Sequence, residues 1–270
     1  MKDASAGFSI PQPRHIGAVN WLGLWELYLK EVRRFLKVYL QTLAAPLVTT
    51  LIFLAIFALS VGPQTAQGGL GFMEFLAPGL IMMAMVQNAF ANTSSSLIIA
   101  KVQGNIVDVL MPPLNATELT LAYALGGVTR GVMVGIFVAV GMMAFVTLHI
   151  HSVFFIVYHA LGASLMLSLL GMIAGIWADK FDHMASVTNF IVTPLSFLSG
   201  TFYTIDRLPE SLRFLAHLNP FFYMIDGFRF GFIGHDQAMP ITGLVVVGGF
   251  NVVLAAVCWQ MFRTGYKLKA

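Results

Sequence analysis

The sequence predicts an all-α integral membrane protein: six transmembrane helices, an N-terminal interfacial amphipathic helix, and short re-entrant helices before the last span. Three observations carry this. Apolar residues make up 58% of the chain and charged residues only 10%, against about 25% charged in an ordinary soluble domain. Six apolar windows, near residues 39–61, 71–93, 121–148, 153–177, 184–204 and 240–262, match the ~20 residues that a bilayer-spanning helix needs. These runs are continuous, whereas the strands of a membrane barrel alternate in polarity over about ten residues. Six runs of this length also exceed what a soluble core would hold.

The N-terminal arm, residues 1–37, is read first. Residues 1–20 are polar, with Pro11, Pro13, Arg14 and His15; no apolar h-region marks a cleaved signal, so the arm is expected to be retained. Further along, Trp21, Leu24, Trp25, Tyr28, Val32 and Phe35 recur at helical spacing and form one predicted face. Glu26, Lys30, Glu31, Arg33, Arg34 and Lys37 occupy the other sides, and Glu26 precedes Lys30 by four residues in the favourable order. Such a helix belongs in the cytoplasmic interface with its aromatics among headgroups. It serves either as a plain anchor or as an anchor that also touches a cytoplasmic partner.

Orientation follows from the basic residues. With the N-terminus inside, Lys2, Arg14, Lys30, Arg33, Arg34, Lys37, Lys101, Lys180, Arg263, Lys267 and Lys269 are cytoplasmic. Only Arg207, Arg213 and Arg229 are outside. Both termini are therefore predicted to be cytoplasmic, with 38–265 the transmembrane domain and 266–270 a short tail. The pI near 9.1 reflects basic residues beside membrane spans, where anionic headgroups account for them. No nucleic-acid partner is needed.

The connector at 100–118 carries a short apolar face of Ile106, Val109 and Leu110, stopped by Pro112 and Pro113. Asn115 or Thr117 is placed to cap the next helix. The connector reads either as an ordinary link or as a surface helix that docks on a soluble partner. Span two ends in Gln87, Asn88, Asn92, Thr93 and Ser94, and span five holds Asn189, Thr193, Pro194, Ser196 and Ser199. Polar groups in a membrane avoid lipid, so these either bond between helices or line a substrate pathway.

Two charges fall inside apolar windows. Glu74, near the outer end of span two, either pairs with Arg229 or stays solvated. Arg130 lies about 13 Å deep if span three starts at Leu121. It sits at the inner interface if the span starts near Thr129, and the length of the window favours that second reading, with 116–127 partly interfacial. His149 and His151 form an interfacial turn without an evident third metal ligand, and His159 is expected to pack as a neutral histidine. The single Cys258, inside the last span, reads as a packing residue.

The segment 208–234 never becomes fully apolar. Pro209 opens a helix with Leu212, Leu215 and Ala216 on one side and Glu210, Arg213 and His217 on the other. Asn219-Pro220 breaks it. A second short helix then carries Tyr223, Asp226 and Arg229 among Phe221, Phe222, Ile225 and Phe228. Neither can span; two helices dipping into the outer leaflet satisfy backbone that an irregular loop would leave unpaired. Asp226 and Arg229, three apart, are spaced to pair.

No G-x-x-x-x-G-K-[ST], H-E-x-x-H, G-x-S-x-G or Cys/His cluster occurs. Uphill work would draw on a partner or an ion gradient. A secondary transporter driven by an ion gradient is the competing class; it calls for charges near the bilayer centre and internal repeats, and neither is visible.

The stretch Leu198-Ser199-Gly200, Leu208-Pro209, and Asn219-Pro220-Phe221 followed by Tyr223, Asp226, Gly227 and Arg229 resembles the C-terminal signature of ABC-2 type membrane permeases. Phe75-Leu76-Ala77-Pro78-Gly79-Leu80 is similar to the family's Pro-Gly motif. The segment before Pro112-Pro113 resembles its cytoplasmic loop, and Ala122-Tyr123 with Arg130-Gly131 resembles the start of its third span. The likeness covers about residues 20–265 and is greatest to the small YadH-like group. It implies an exporter of drugs, lipids or glycoconjugates in the bacterial plasma (inner) membrane. Two permeases, here a homodimer in contact with membrane lipids, would pair with two copies of a cytosolic ABC ATPase. That partner would use ATP and Mg, and this chain would bind no cofactor and no metal and carry no catalytic residue.

The resemblance implies that the arm holds the connecting helix, 101–113 the coupling helix and 208–234 the re-entrant helices. Candidate coupling residues are Lys101, Gln103, Asn105, Ile106, Val109, Leu110, Glu26 and Arg33. Candidate pathway residues are Gln87, Asn88, Asn92, Asn189, Thr193 and Ser196, on spans two and five as the expected dimer axis. Glu74, Tyr223, Asp226 and Arg229 are expected to hold the outer helices.

Overall fold

A computed structural model describes residues 17–61, 71–204, 209–234 and 240–268. Expectations for residues 1–16, Arg207, Leu208 and Lys269 lie outside them. The described chain is helical. In order it forms α1 (Trp21–Leu36), a π-turn (Leu40–Ala44), α2 (Ala45–Val61), α3 (Phe72–Val102), α4 (Ile106–Leu110), α5 (Ala116–Met142) and α6 (Val153–Trp177). Then come α7 (Phe181–Val187), a second π-turn (Thr188–Val192), α8 (Thr193–Phe197), α9 (Glu210–Leu218), α10 (Pro220–Ile233) and α11 (Pro240–Thr264).

Five stretches are long and apolar enough to cross a membrane: Leu40–Ser60, Phe72–Val102, Ala116–Met142, Val153–Trp177 and Pro240–Thr264. They correspond to windows one, two, three, four and six. The fifth window is built differently. There the helix covers 181–197 in two α-segments joined by the π-turn, a length of about 25 Å at 1.5 Å per residue. Proline accounts for the joint. Pro194 has no amide to offer the carbonyl four residues back, and the π-turn ends two residues before it. The first span repeats the device, its π-turn ending two residues before Pro46.

Caps tie the inner ends together. Asn115, not Thr117, caps α5: its Oδ1 accepts from Glu118 N at 2.9 Å, and Glu118 Oε2 accepts from Asn115 N at 2.8 Å, a reciprocal capping box. Glu118 Oε1 meanwhile accepts from Asn20 N at 2.6 Å. Asn20 in turn caps α1 by accepting from Gly23 N at 2.9 Å. One carboxylate thus joins the starts of two helices.

Helix α3 is the axis of the bundle, packed against α2, α5, α6 and α10. Small residues let it be surrounded so closely. On α6, a β-carbon at Gly171 would lie 2.4 Å from Phe90 O of α3, and one at Gly175 would lie 3.0 Å from Ser94 O. On α5, Gly131 faces Met85 O in the same manner. Helix α11 is strapped to α6 by Asn251 Nδ2, which donates to Gly162 O at 2.9 Å, and by Tyr158 OH, which donates to Leu244 O at 2.7 Å. The outward faces, with Ile136, Val140, Val245 and Val252, are exposed and apolar, as a lipid-facing surface requires.

The arm helix forms as expected but is turned about its axis. Its buried stripe is Leu24, Leu27, Glu31 and Phe35, while Trp21 and Trp25 are exposed. Glu31, expected on a polar side, is wholly buried. The reason is tertiary: α1 lies along the first half of α5, from the Asn20–Glu118 contact to the bond between the Tyr28 hydroxyl and Thr129 Oγ1 at 3.0 Å. Its inner stripe therefore meets protein, and its tryptophans are left for the interface.

Candidate functional site

The end expected to face the cytoplasm is built by α1, α4 and the last turn of α3. Helix α4 hangs from α3 through a tight turn in which Gly104 takes φ 75°, a backbone that glycine adopts without strain. Ile106 and Val109 of α4 point inward and join Leu24, Leu27, Leu97 and Tyr123 in one apolar cluster. Gln103 and Asn105 are exposed, together with Val107, Asp108 and Met111. Of the residues expected at a docking face, Ile106 and Val109 therefore anchor the helix to the bundle and Leu110 is half-buried. The outward edge is made by Val107, Asp108 and Met111, which periodicity did not single out. Beside this edge lies a cleft of about 410 Å³ lined by Lys30, Arg34, Ser96, Gln103, Asn105 and Asp108. Glu26 and Arg33 are exposed on α1.

Lys101 turns the other way. Its Nζ donates to Ile176 O at 2.7 Å and to Ala178 O at 2.5 Å, closing the C-terminal end of α6. It also meets Asp179 Oδ1 at 3.4 Å. Lys267, after α11, completes a clasp by donating to Asp179 Oδ2 at 2.8 Å and to Trp177 O at 3.0 Å. The Lys267 hydrogen bond, with both lysine charges, holds the Asp179 carboxyl below the usual carboxylate range.

Between α1, α3 and α5 is a buried polar network. Glu31 Oε1 accepts from Ser96 Oγ at 2.7 Å, and Glu31 Oε2 accepts from Arg34 Nη2 at 3.1 Å. Arg34 Nη2 also donates to Asn92 O at 2.6 Å and Asn92 Oδ1 at 3.1 Å, and Nη1 donates to Ser95 Oγ at 3.1 Å. Gly126 of α5 makes room, since a β-carbon there would lie 2.8 Å from Glu31 Cβ. One turn further along α3, Asn88 Oδ1 accepts from Arg130 Nη2 at 3.1 Å. Arg130 therefore stands at the level of the last turns of α1, before the apolar stretch that follows it.

The expected pathway residues do not share one site. Gln87 and Thr193 come together, with Ser94, Ser95 and Thr188, around a cavity of about 330 Å³ between α3 and the broken helix 181–197. Asn88 and Asn92 are instead engaged by the two arginines. Asn189 is exposed, and Ser196 is buried, donating to Val192 O at 2.7 Å.

At the outer end, α10 is nearly all buried. Asn219 begins it, accepting from Phe221 N at 3.0 Å and donating through Nδ2 to Leu195 O at 2.7 Å. Arg229 is wholly buried. Its Nε donates to Phe75 O at 3.1 Å and its Nη2 to Gly200 O at 3.0 Å, and the guanidinium lies 3.9 Å from the Phe75 ring centroid. Asp226 is buried one turn away, within electrostatic reach of Arg229. Tyr223 is half-buried against Phe222. Glu74 does not reach Arg229: its carboxylate faces His149 Nε2 at 3.7 Å. Among the described residues no group of His, Cys, Asp and Glu is placed to hold a metal ion.

A polytopic helical bundle with a short exposed helix hung from its central span is consistent with a membrane transport subunit. The profile of the ABC-2 type transporter family matches residues 23–233, and the chain belongs to that family. It is 36% identical over 251 residues to the inner membrane transport permease YadH of Escherichia coli (strain K12), covering 93% of this chain and 98% of that one. It is 25% identical over 257 residues to nodulation protein J of Rhizobium leguminosarum bv. viciae, covering 92% and 95%. The chain is thus an ABC transporter membrane subunit and a multi-pass protein of the bacterial inner membrane.

Proposed function

We propose that this chain is the permease of an ABC exporter that moves a hydrophobic or amphiphilic substrate outward, powered by a separate cytosolic ATPase. The observation that supports it most directly is the attachment of α4. This helix is bonded to the inner end of α3, the span that packs on α2, α5, α6 and α10. A force on its exposed edge is therefore delivered to the centre of the bundle. An ATPase seated on Val107, Asp108 and Met111 and in the neighbouring cleft would pass its closure to α3 as a rigid-body motion.

In this reading the broken helix 181–197 is the fifth of six membrane crossings, both termini are cytoplasmic, and α9 and α10 close the outer end. Residues 38–265 form the transmembrane domain of a homodimer, and two ATPase copies supply ATP and Mg chemistry. The cavity shared by Gln87 and Thr193 lies beside the most weakly packed crossing, where a route can open. The test is co-purification with the partner ATPase. Wild type should retain it, and Val107→Glu/Met111→Glu should lose it while keeping its thermal unfolding midpoint. Transport by the permease alone under a proton gradient would overturn the proposal.

A further inference from the structure

The network between α1, α3 and α5 holds more positive charge and more donors than its own acceptors use. Two guanidiniums sit on successive turns of α3: Arg34 on Asn92 and Arg130 on Asn88, about 6 Å apart along the helix. The two charges are within electrostatic reach of each other. Glu31 is the one carboxylate that pairs with either of them among the described residues, so the set carries a net charge of about +1 in a largely buried place, where an uncompensated charge is costly.

Donors remain over as well. Arg34 Nε, Arg130 Nε and Asn92 Nδ2 bond to no protein acceptor. Asn92 is wholly buried, and its Nδ2 is aimed at α5 beside Gly126, since a β-carbon there would lie 3.6 Å from it. Arg130 follows Gly126 by one turn on the same face. The free Asn92 donor thus points to the stripe from which Arg130 projects. The three free donor atoms are buried, and the network meets the surface at Arg34, whose side chain is 30% exposed.

We propose that Arg34, Arg130 and Asn92 form an oxyanion site that takes the phosphate of an inner-leaflet phospholipid. Paired guanidinium forks match the oxygens of a phosphate. The depth fits a headgroup: Arg34 lies in the last turn of α1, just before the π-turn through which the chain enters its first span. Exposed Arg33 and Lys37 flank it and draw anionic lipid to the same surface. Bound there, a lipid would join α1 to α3 and α5 and so stiffen the junction between the docking edge and the bundle.

The test uses the full chain in a phosphate-free maltoside detergent, titrated with dioctanoyl phosphatidylglycerol, dioctanoylglycerol or inorganic phosphate while the unfolding midpoint is followed. Phosphatidylglycerol should raise the midpoint, and Arg130→Gln should weaken its apparent affinity by about tenfold or more, as loss of a charge-assisted contact predicts. Glu31→Gln, which removes the competing carboxylate, should tighten it and gives a second readout of opposite sign. An equal rise with inorganic phosphate, also lost in Arg130→Gln, would assign the same site to free phosphate. An equal rise with dioctanoylglycerol, no rise with any phosphate compound, or unchanged affinity in Arg130→Gln together with no tightening in Glu31→Gln would overturn the proposal.

Discussion

Each end of this bundle is held by an arginine, Arg229 wholly buried and Arg34 half-buried, and the balance of their partners differs. At the inner end Arg34 meets a carboxylate and the side chains of Asn92 and Ser95. At the outer end Arg229 donates to main-chain carbonyls, Phe75 O and Gly200 O, and lies against an aromatic ring, with Asp226 within electrostatic reach. The outer site solves a backbone problem. After Phe197 the chain leaves its helix, and carbonyls freed inside a membrane protein must find donors. The inner site joins a surface helix to two spans through side chains, and side-chain contacts can be rearranged without unwinding a helix. The outer arginine is thus a fastening of the fold, and the inner one belongs to a junction able to respond to what binds beside it.

Removing one member of the inner pair should have the largest effect. Glu31→Ala or Arg34→Ala leaves a buried charge uncompensated and should cost about 3–5 kcal/mol. Unfolding in detergent should show the loss, and Glu31→Gln with Arg34→Gln together should recover much of it. Single losses that simply add in the double variant would show that the pair is not coupled.

Arg229→Leu should follow at about 3 kcal/mol, since it removes the donor to Gly200 O and Thr201 O, buried carbonyls beyond the end of their helix. Replacing Asp226 as well should not restore stability if the carbonyls are what matters. Restoration would show that the outer arginine, like the inner one, serves chiefly to balance a carboxylate, and the comparison would break.

A smaller and less local effect is expected from Gly171→Ala. Its methyl group would meet Phe90 O at 2.4 Å, and separating α6 from α3 should cost about 1–3 kcal/mol. Both ends depend on α3, so amide exchange should rise around Glu31 and around Arg229 alike. A rise at one end only would show that α3 does not link them.

The smallest effect is a pH dependence at the Asp179 clasp. Its carboxyl lies below the usual range because Lys267 donates to it, with Lys101 adding its charge. The clasp is therefore fully present above the ordinary carboxylate value near 4 and is lost as pH falls through the lower folded value. In Asp179→Asn, mobility of the C-terminal tail should no longer change in that acid range. A dependence that persists would assign it to another group.

Much of the architecture was readable from composition and period. Five long apolar helices, the short amphipathic one at the N-terminus, a helix cap at Asn115 or Thr117 and the Asn219-Pro220 break all follow from local rules. The short helix of the connector forms, but its exposed edge is made by Val107, Asp108 and Met111. Ile106 and Val109 look like a face for a partner when read alone, yet the same two residues fasten the helix to the bundle. Likewise the face expected from spacing runs through Trp21, Leu24, Trp25, Tyr28, Val32 and Phe35, whereas the buried one runs through Leu24, Leu27, Glu31 and Phe35. A signal for the true face was present: Glu31 falls on the Leu24, Leu27, Phe35 spacing, a charge where an apolar residue is expected.

The sequence by itself determined that the chain is a helical membrane protein, where its helices begin and break, and which family it belongs to. Each of these depends on properties local in the chain: apolar length, proline, caps and short motifs. Only the tertiary structure decided which side of each helix is inward, that Arg34 and Arg130 stand on successive turns of α3, that Lys101 closes α6, and that Glu74 faces His149 rather than Arg229. Those outcomes depend on how closely glycines allow α3, α5 and α6 to approach, and on which buried polar groups are then left within bonding distance of one another.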